Sequence, residues 1–250
     1  MRIEIQSDVD LVVLSDGRKY GVQPCFYLKS DGLEGWFETP GLRDSTVDNP
    51  NGDGVMNPVV KRQKQRTVTI RGWVFPESTV QENEAVDRLN DLVCRDLLLT
   101  VYDTAGPRHC RAWIPDDNGI VFDPYGDVME FTLILCCGDP LKYGNPVAFR
   151  ANGGRFRVEN RGMVATFPRV SVSNPNGVSF ISVTDDSGHE VAWEGDGSST
   201  SVELDFRDLN PIVGNVTVDD VFTIPHGMSD VYLTADSGST ASLIVEPAWR

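Results

Sequence analysis

The chain has 250 residues, 40% apolar and 24% charged, which allows one large domain or two ordinary ones with real cores and argues against wholesale disorder. Its 22 Lys and Arg against 37 Asp and Glu give a net charge of −15. That excludes a protein whose task is to grip nucleic-acid phosphates, though not one past which DNA must slide.

Short strand patterns occupy residues 3–5, 10–14 and 25–28. No run of 18 apolar residues occurs, and Glu4, Asp8 and Asp10 interrupt the first ten positions, so neither a membrane span nor a secretory leader is expected. Residues 41–66 form a polar stretch too long for an ordinary connection. It holds the turn-rich Asp48-Asn-Pro-Asn-Gly-Asp-Gly54 and a basic run with Lys61, Arg62, Lys64 and Arg66. A strand follows at 67–75, where Val68, Ile70 and Val74 alternate with Thr67, Thr69 and Trp73.

Pro76 ends that strand, and Ser78 with Gln81 three residues on has the form of a capping box. Val86, Leu89, Leu92 and Val93 then recur at helical spacing. Glu82 and Glu84 near the start, with Arg88 and Arg95 further along, suit the helix dipole. It is the one convincing helix in the sequence. Strand patterns at 97–102 and 109–114 flank the turn Thr104-Ala-Gly-Pro107, an irregular stretch covers 116–128, and a strand at 130–137 ends at Gly138-Asp-Pro140.

The second half is almost pure β pattern. Strands are predicted at 155–159, 166–173, 178–183, 190–193, 201–206, 213–218, 221–224, 230–234 and 239–245. Short strands at this spacing predict an antiparallel sandwich. Pro146, Gly153 and Gly154 loosen the junction, so the expected domains are 1–148, carrying the long loop 41–66, and 149–250.

Candidate chemistry is sparse. Cys25, Cys94, Cys110, Cys136 and Cys137 are odd in number and form no CxxC pair, so reduced and mostly buried thiols are expected. Cys136 and Cys137 are neighbours in a strand and point to opposite faces. His109, His189 and His226 are scattered, and Val60 stands where a calcium loop beginning at Asn49 would need a Glu. No metal or cofactor is therefore expected. There is no Gly-x-Ser-x-Gly elbow, and Asp185-Asp186 and Asp219-Asp220 read as turns, so no enzyme is expected. The basic run has no interleaved aromatics and reads as a solvated loop or a contact with an acidic neighbouring subunit. Asn215-Val-Thr217 is a glycosylation sequon that a cytoplasmic protein would leave bare. Trp249, next to last, reads as a docking residue, on its own sheet or on a partner.

A resemblance extends across almost the whole chain. It is carried by Thr67-Val-Thr-Ile-Arg-Gly-Trp73, then Val86-Asp-Arg-Leu-Asn90, then Phe131-Thr-Leu-Ile-Leu-Cys-Cys-Gly-Asp-Pro-Leu-Lys-Tyr-Gly144. It continues through Asn160-Arg-Gly-Met-Val-Ala-Thr-Phe-Pro-Arg-Val-Ser-Val172, Pro225-His-Gly227 and Pro247-Ala-Trp249. In order and local pattern these resemble the distal tail protein family of siphovirus bacteriophages, those with long non-contractile tails, often labelled minor tail proteins. The resemblance implies a mainly β chain: an N-terminal split β-barrel-like domain with one packed α-helix, and a C-terminal galectin-like antiparallel β-sandwich.

It also implies a structural virion protein with no catalytic residues and no cofactor, assembled in the host bacterial cytoplasm. Its N-terminal domains would form a hexameric ring at the tail tip, joining the tail tube to the tip or baseplate and letting DNA pass without specific binding. The implied partners are further copies of itself, the tail tube protein, the tape-measure protein and the baseplate hub protein, with no membrane. The 41–66 stretch resembles the family's extended loop that reaches a neighbouring subunit, which would put Lys61, Arg62, Lys64 and Arg66 at an inter-subunit contact. The alternative is a carbohydrate-binding module that recognises host-surface sugars by stacking on Trp193. Against it, Ser-Asn174-Pro175-Asn176 and Trp193-Glu194-Gly195 lack the His and Arg of sugar-binding galectins and break their Trp-Gly-x-Glu segment.

Overall fold

A computed structural model of the chain describes residues 1–17, 26–43, 47–56, 60–115, 119–122 and 128–250. It divides into two compact units, Met1–Lys142 with Arg250, and Tyr143–Trp249. The division falls a few residues before the one expected at 148, because Gly144 N–H donates to the Pro247 carbonyl (2.8 Å) and so ties this stretch to the second unit.

The first unit contains β1 (Arg2–Gln6), β2 (Leu11–Ser15), β3 (Phe26–Glu34), β4 (Arg66–Val74), α1 (Thr79–Asp91), β5 (Leu97–Asp103), β6 (Gly106–Ala112), β7 (Gly119–Phe122) and β8 (Met129–Cys137). These strands lie in the order β6-β5-β1-β2-β3-β4-β8-β7. Neighbours pair antiparallel except β2 with β3, which are parallel. The sheet curls until its far strands meet. Trp113, just past β6, exchanges backbone hydrogen bonds with Cys136 of β8 (3.0 and 2.8 Å), and this single bridge forms a seam.

Period-two alternation fills the space that the curl encloses. Ile3, Ile5, Val12, Leu14, Val68, Ile70, Leu99, Val101, Leu133 and Leu135 all point into one core. Gly72 of β4 is where the Phe131 ring crosses the sheet, and a Cβ there would overlap that ring. The helix packs against the core through Ala85, Leu89 and Leu92, with Val86 and Val93 at its margin. Each fully buried Leu contributes about 1.5–3 kcal/mol. Ser78 caps the helix, its Oγ accepting from the Gln81 N–H (3.3 Å), while Gln81 Oε1 reaches back to the Glu77 N–H (2.9 Å).

At the junction lies β9 (Lys142–Tyr143). The second unit then contains β10 (Val147–Arg150), β11 (Arg155–Asn160), β12 (Arg169–Ser173), β13 (Phe180–Asp185), β14 (Glu190–Glu194), β15 (Ser201–Asp205), β16 (Asn215–Asp219), β17 (Gly227–Ala235), β18 (Thr240–Val245) and β19 (Ala248–Trp249). One sheet runs β10-β18-β12-β15 and the other β11-β17-β13-β14-β16. Val170, Val172, Leu204 and Leu243 from the first meet Phe156, Val158, Val183 and Trp193 from the second in one core, the antiparallel sandwich expected.

The departures from the sequence expectations are local. The stretch read as irregular at 116–128 contains β7, an edge strand beside β8. The strand expected at 221–224 is absent. Those residues make only an isolated bridge between Ile224 and Thr166, so their apolar side chains, Phe222 and Ile224, fill the core without a ladder. Strand β3 runs on to Glu34, with a register shift against β4, and Cys25 lies outside the described residues. Among the described residues no helix is long and apolar enough to cross a membrane.

The second unit owns a complete core, so a fragment spanning residues 143–250 should fold alone. Its thermal melt is expected to be a single cooperative transition. A featureless melt would show that the sandwich needs the first unit to hold it together.

Candidate functional site

The segment between β3 and β4 leaves the barrel as an arm. Its root is fixed by backbone geometry and by one charge. Gly35 has φ of 77°, and a Cβ there would overlap the Thr67 carbonyl, so the chain turns out of β3 only because this residue is glycine. Trp36 then goes into the core. Arg66, first residue of β4, closes the root from the other side. Its Nη1 donates to the carbonyls of Gly35 (2.7 Å), Trp36 (3.2 Å) and Glu38 (2.8 Å), and its Nε to that of Pro140 (2.9 Å). The side chain is 0% exposed.

Arg66 thus differs from the rest of the basic run. Its Nε and Nη1 are engaged by backbone carbonyls and its side chain is buried at the arm's root, where Nη2 has no hydrogen-bond partner among the described residues. Lys61 and Lys64 of the same run are exposed, as is Arg62, and their charge belongs to the surface of the arm.

A second cation sits at the root. Lys142 is 4% exposed, its Nζ donates to the Trp36 carbonyl (3.0 Å) and it lies 5.8 Å from the Trp36 ring centre. Burial pulls its pKa down to about 8, and the charges of Arg66 and Arg108 add to the effect.

Beyond the root the arm is an antiparallel ribbon in its described parts. Lys64 N–H donates to the Gly41 carbonyl (2.9 Å) and Arg43 N–H to that of Arg62 (2.7 Å). Near the tip, Met56 N–H donates to the Val47 carbonyl (2.7 Å) and Asn49 N–H to that of Gly54 (3.0 Å). The Asn49 side chain accepts from the Asn51 N–H (3.2 Å), which marks an Asx turn. No group of three or more His, Cys, Asp or Glu placed to hold a metal occurs among the described residues, here or elsewhere.

The arm's surface is unusual in two ways. Phe37, Leu42, Val47, Val55, Met56 and Val60 are 47–60% exposed. With Arg66 buried, the stretch 41–65 still carries four cations against three carboxylates, a slight positive excess in an acidic chain. A ribbon with exposed apolar residues and a slight positive excess is suited to lie against another protein surface.

The second unit places the residues behind the sugar-binding alternative elsewhere than in a site. Trp193 is 0% exposed, and its Nε1 donates to the Val213 carbonyl (2.8 Å). Gly195 and Gly214 lie flush against its ring, where any Cβ would overlap it. Asn174 is also buried, its amide donating to the Ser237 carbonyl and Ser239 Oγ. One open groove of this unit, about 730 Å³, is lined by residues such as Arg150, Ser171, Ser173, Asp236 and Thr240 and by no aromatic ring, and a neighbouring hollow has Phe149 as its one aromatic, among Arg150, Arg155 and Arg157. Trp249 packs on its own unit, its ring lying so close over Gly144 that a Cβ there would come within 2.9 Å. His189 pairs with Asp185 (2.8 Å) across an exposed turn, and His226 Nδ1 meets the Gly162 carbonyl (2.7 Å).

No protein-family model matches the chain, and no curated protein matches it. Solved structures do. The Dit protein (gp 19.1) of phage SPP1, described as a paradigm of the hub adsorption apparatus in phages that infect Gram-positive bacteria, is 16% identical, with a TM-score of 0.69 over 98% of both chains. Chains of the phage p2 baseplate in its activated conformation are also similar. One, from the structure with Sr, is 11% identical, with a TM-score of 0.57 over 98% of both chains. Another, from the structure with Ca, is 13% identical, with a TM-score of 0.56 over 99% of this chain and 98% of that one. The chain therefore has the Dit fold, through both units and in the same order.

Two outcomes are expected from the arm's root. Arg66→Met takes this donor from the carbonyls of Gly35, Glu38 and Pro140, leaving that of Trp36 to Lys142 alone, and it should cost at least about 3 kcal/mol in denaturant unfolding. A cost below about 1 kcal/mol would mean that water replaces the guanidinium. Lys142 gives a pH signature. From its folded pKa of about 8 up to its ordinary 10.5, the unfolded chain keeps a proton that the folded chain has released. Stability from this residue therefore rises with pH across that window. Unfolding midpoints of the wild type should gain on those of Lys142→Met between those two values, and parallel profiles would refute the burial of a charged lysine.

Proposed function

We propose that the chain is a structural subunit of a siphovirus tail tip, a distal tail protein, and not an enzyme. The observation that carries this reading is the likeness of fold to the SPP1 Dit protein over 98% of both chains. The order of short sequence patterns, from Thr67-Val-Thr-Ile-Arg-Gly-Trp73 to Pro247-Ala-Trp249, supports it independently.

In this reading six copies close into a ring through their first units, between the tail tube and the baseplate, and DNA leaves through the centre. Head-to-tail contacts that close on themselves make such rings. The arm is the natural joint. Its exposed apolar residues would be covered by the next subunit, and Lys61, Arg62 and Lys64 would meet that subunit's acids. The net charge of −15 per copy suits a passage from which phosphates are weakly repelled. Copies of the tail tube, tape-measure and hub proteins would be the partners above, within and below the ring. The sugar-binding alternative has lost its stacking residue to the core and is not carried further.

The test combines oligomer mass with DNA retardation. The purified chain at high concentration, or tail tips imaged by electron microscopy, should show the protein in a closed ring. Changing Lys61, Arg62 and Lys64 to Ser should weaken assembly by about 10–100-fold per contact, with the melting temperature unchanged. Arg66 is left in place because it holds the arm's root. Duplex DNA at about 150 mM salt should not be retarded by either form. Retardation by the wild type that the three changes abolish would overturn the assembly role of the run. Tail tips without a ring of this protein would overturn the reading itself.

A further inference from the structure

The thiols of Cys110 and Cys137 sit beside the seam that closes the first unit, and they face each other. Their Sγ atoms are 2.8 Å apart. Cys110 belongs to β6 and lies opposite Leu99 of β5, while Cys137 ends β8 and lies opposite Arg66 of β4. The two strands touch through one backbone bridge, Trp113 with Cys136, a residue or a few away from each thiol. Cys136 takes no part, since its Sγ accepts from Gln65 Nε2 (3.5 Å).

We propose that Cys110 and Cys137 form a disulfide when the chain meets a disulfide oxidant, and that this bond locks the barrel seam. The antiparallel bridge of Trp113 with Cys136 puts Ala112 opposite Cys137, so Cys110 meets Cys137 on the diagonal, two residues along β6, and side-chain contact across that diagonal is what brings the two sulfurs together. The surroundings favour the exchange chemistry. The thiol pair shares a hydrogen bond, and the Arg66 charge lies close by, so Cys137 ionises more readily than an ordinary thiol, while Cys110 holds its proton more tightly.

With oxidised glutathione as the oxidant the step balances. The Cys137 thiolate attacks one glutathione sulfur, forms a mixed disulfide and expels a glutathione thiolate. Cys110 then attacks the Cys137 sulfur and expels the second. Two S–H bonds and the glutathione S–S bond are lost, one protein S–S bond is formed, and the two protons and two electrons end on two glutathione thiols. Both cysteines are at most 1% exposed, so exchange requires the seam to open or takes place before it closes. The bond would stay open in a reducing cytoplasm and form once the chain leaves it. It spans 27 residues of sequence across the seam where Trp113 and Cys136 exchange two backbone hydrogen bonds.

The full chain is unfolded in denaturant and refolded in glutathione buffers of increasing oxidised fraction, and the products are read by peptide mapping without reductant. The expected product is a single linked peptide pair joining Cys110 to Cys137. It should be absent from Cys110→Ala and from Cys137→Ala. The wild type refolded with oxidised glutathione should melt about 6–12 °C above the same protein treated with reductant. That comparison uses one sequence, so it stands even where a variant folds poorly. Fully free thiols at the highest oxidised fraction, a link to Cys25, Cys94 or Cys136 instead, or equal melting temperatures with and without reductant would each overturn the proposal.

Discussion

Everything at the edge of the first unit depends on where the Arg66 guanidinium is placed. It is a full charge with no access to water, and its hydrogen bonds go to backbone oxygens rather than to a carboxylate. Burying an ion costs several kcal/mol, so it persists only where its bonds are numerous and well formed. Here they tie together three pieces of chain distant in sequence: the turn that leaves β3, the start of β4 and the exit from β8. Lys142 adds a second bond to the same Trp36 carbonyl. A hydrophobic residue at 66 would fill the space but take the side-chain donor from the carbonyls of Gly35, Glu38 and Pro140, leaving that of Trp36 to Lys142 alone. The arm's departure angle is thus set by electrostatics at its base, while the barrel beneath it is held by ordinary apolar packing.

Much of the fold was legible because period two is a strong signal. In β4, β5, β8 and β15 the alternation marks both the strand and its buried face, and the cap at Ser78 marks the helix. What failed had a physical cause in each case. Phe222 and Ile224 look like a strand because they are apolar and alternate, yet their backbone makes no ladder. Strand β7 was unreadable because Asp116, Asp117 and Asn118 precede it and Gly119 begins it, which dilutes the pattern to that of a loop. Periodicity reports burial of side chains, and only indirectly the partner of the backbone.

The candidate site was less legible, though one signal was present. Arg66, Val68 and Ile70 share a parity, so a strand that buries the two aliphatics also buries the arginine. Grouping Arg66 with Lys61, Arg62 and Lys64 by charge hid that distinction. Trp193 shares its parity with Val191 in the same way, and both are core residues. Cys110 and Cys137 could each be placed on an inward face. That they meet follows from the order of strands in a curled sheet, which no local pattern carries.

The arm that Arg66 pins at both ends is, thermodynamically, a loop whose ends are already held together. Lengthening such a loop costs only the logarithm of its length, about 0.6 kcal/mol for each doubling. Because the guanidinium isolates the root from whatever lies beyond it, residues inserted or lost near the Asn49–Gly54 turn leave the barrel's core and seam as they were. The reach of the arm and the stability of the barrel are therefore separable quantities. In the proposed assembly, variation in the span from one subunit to the next would be met by changing the arm's length alone.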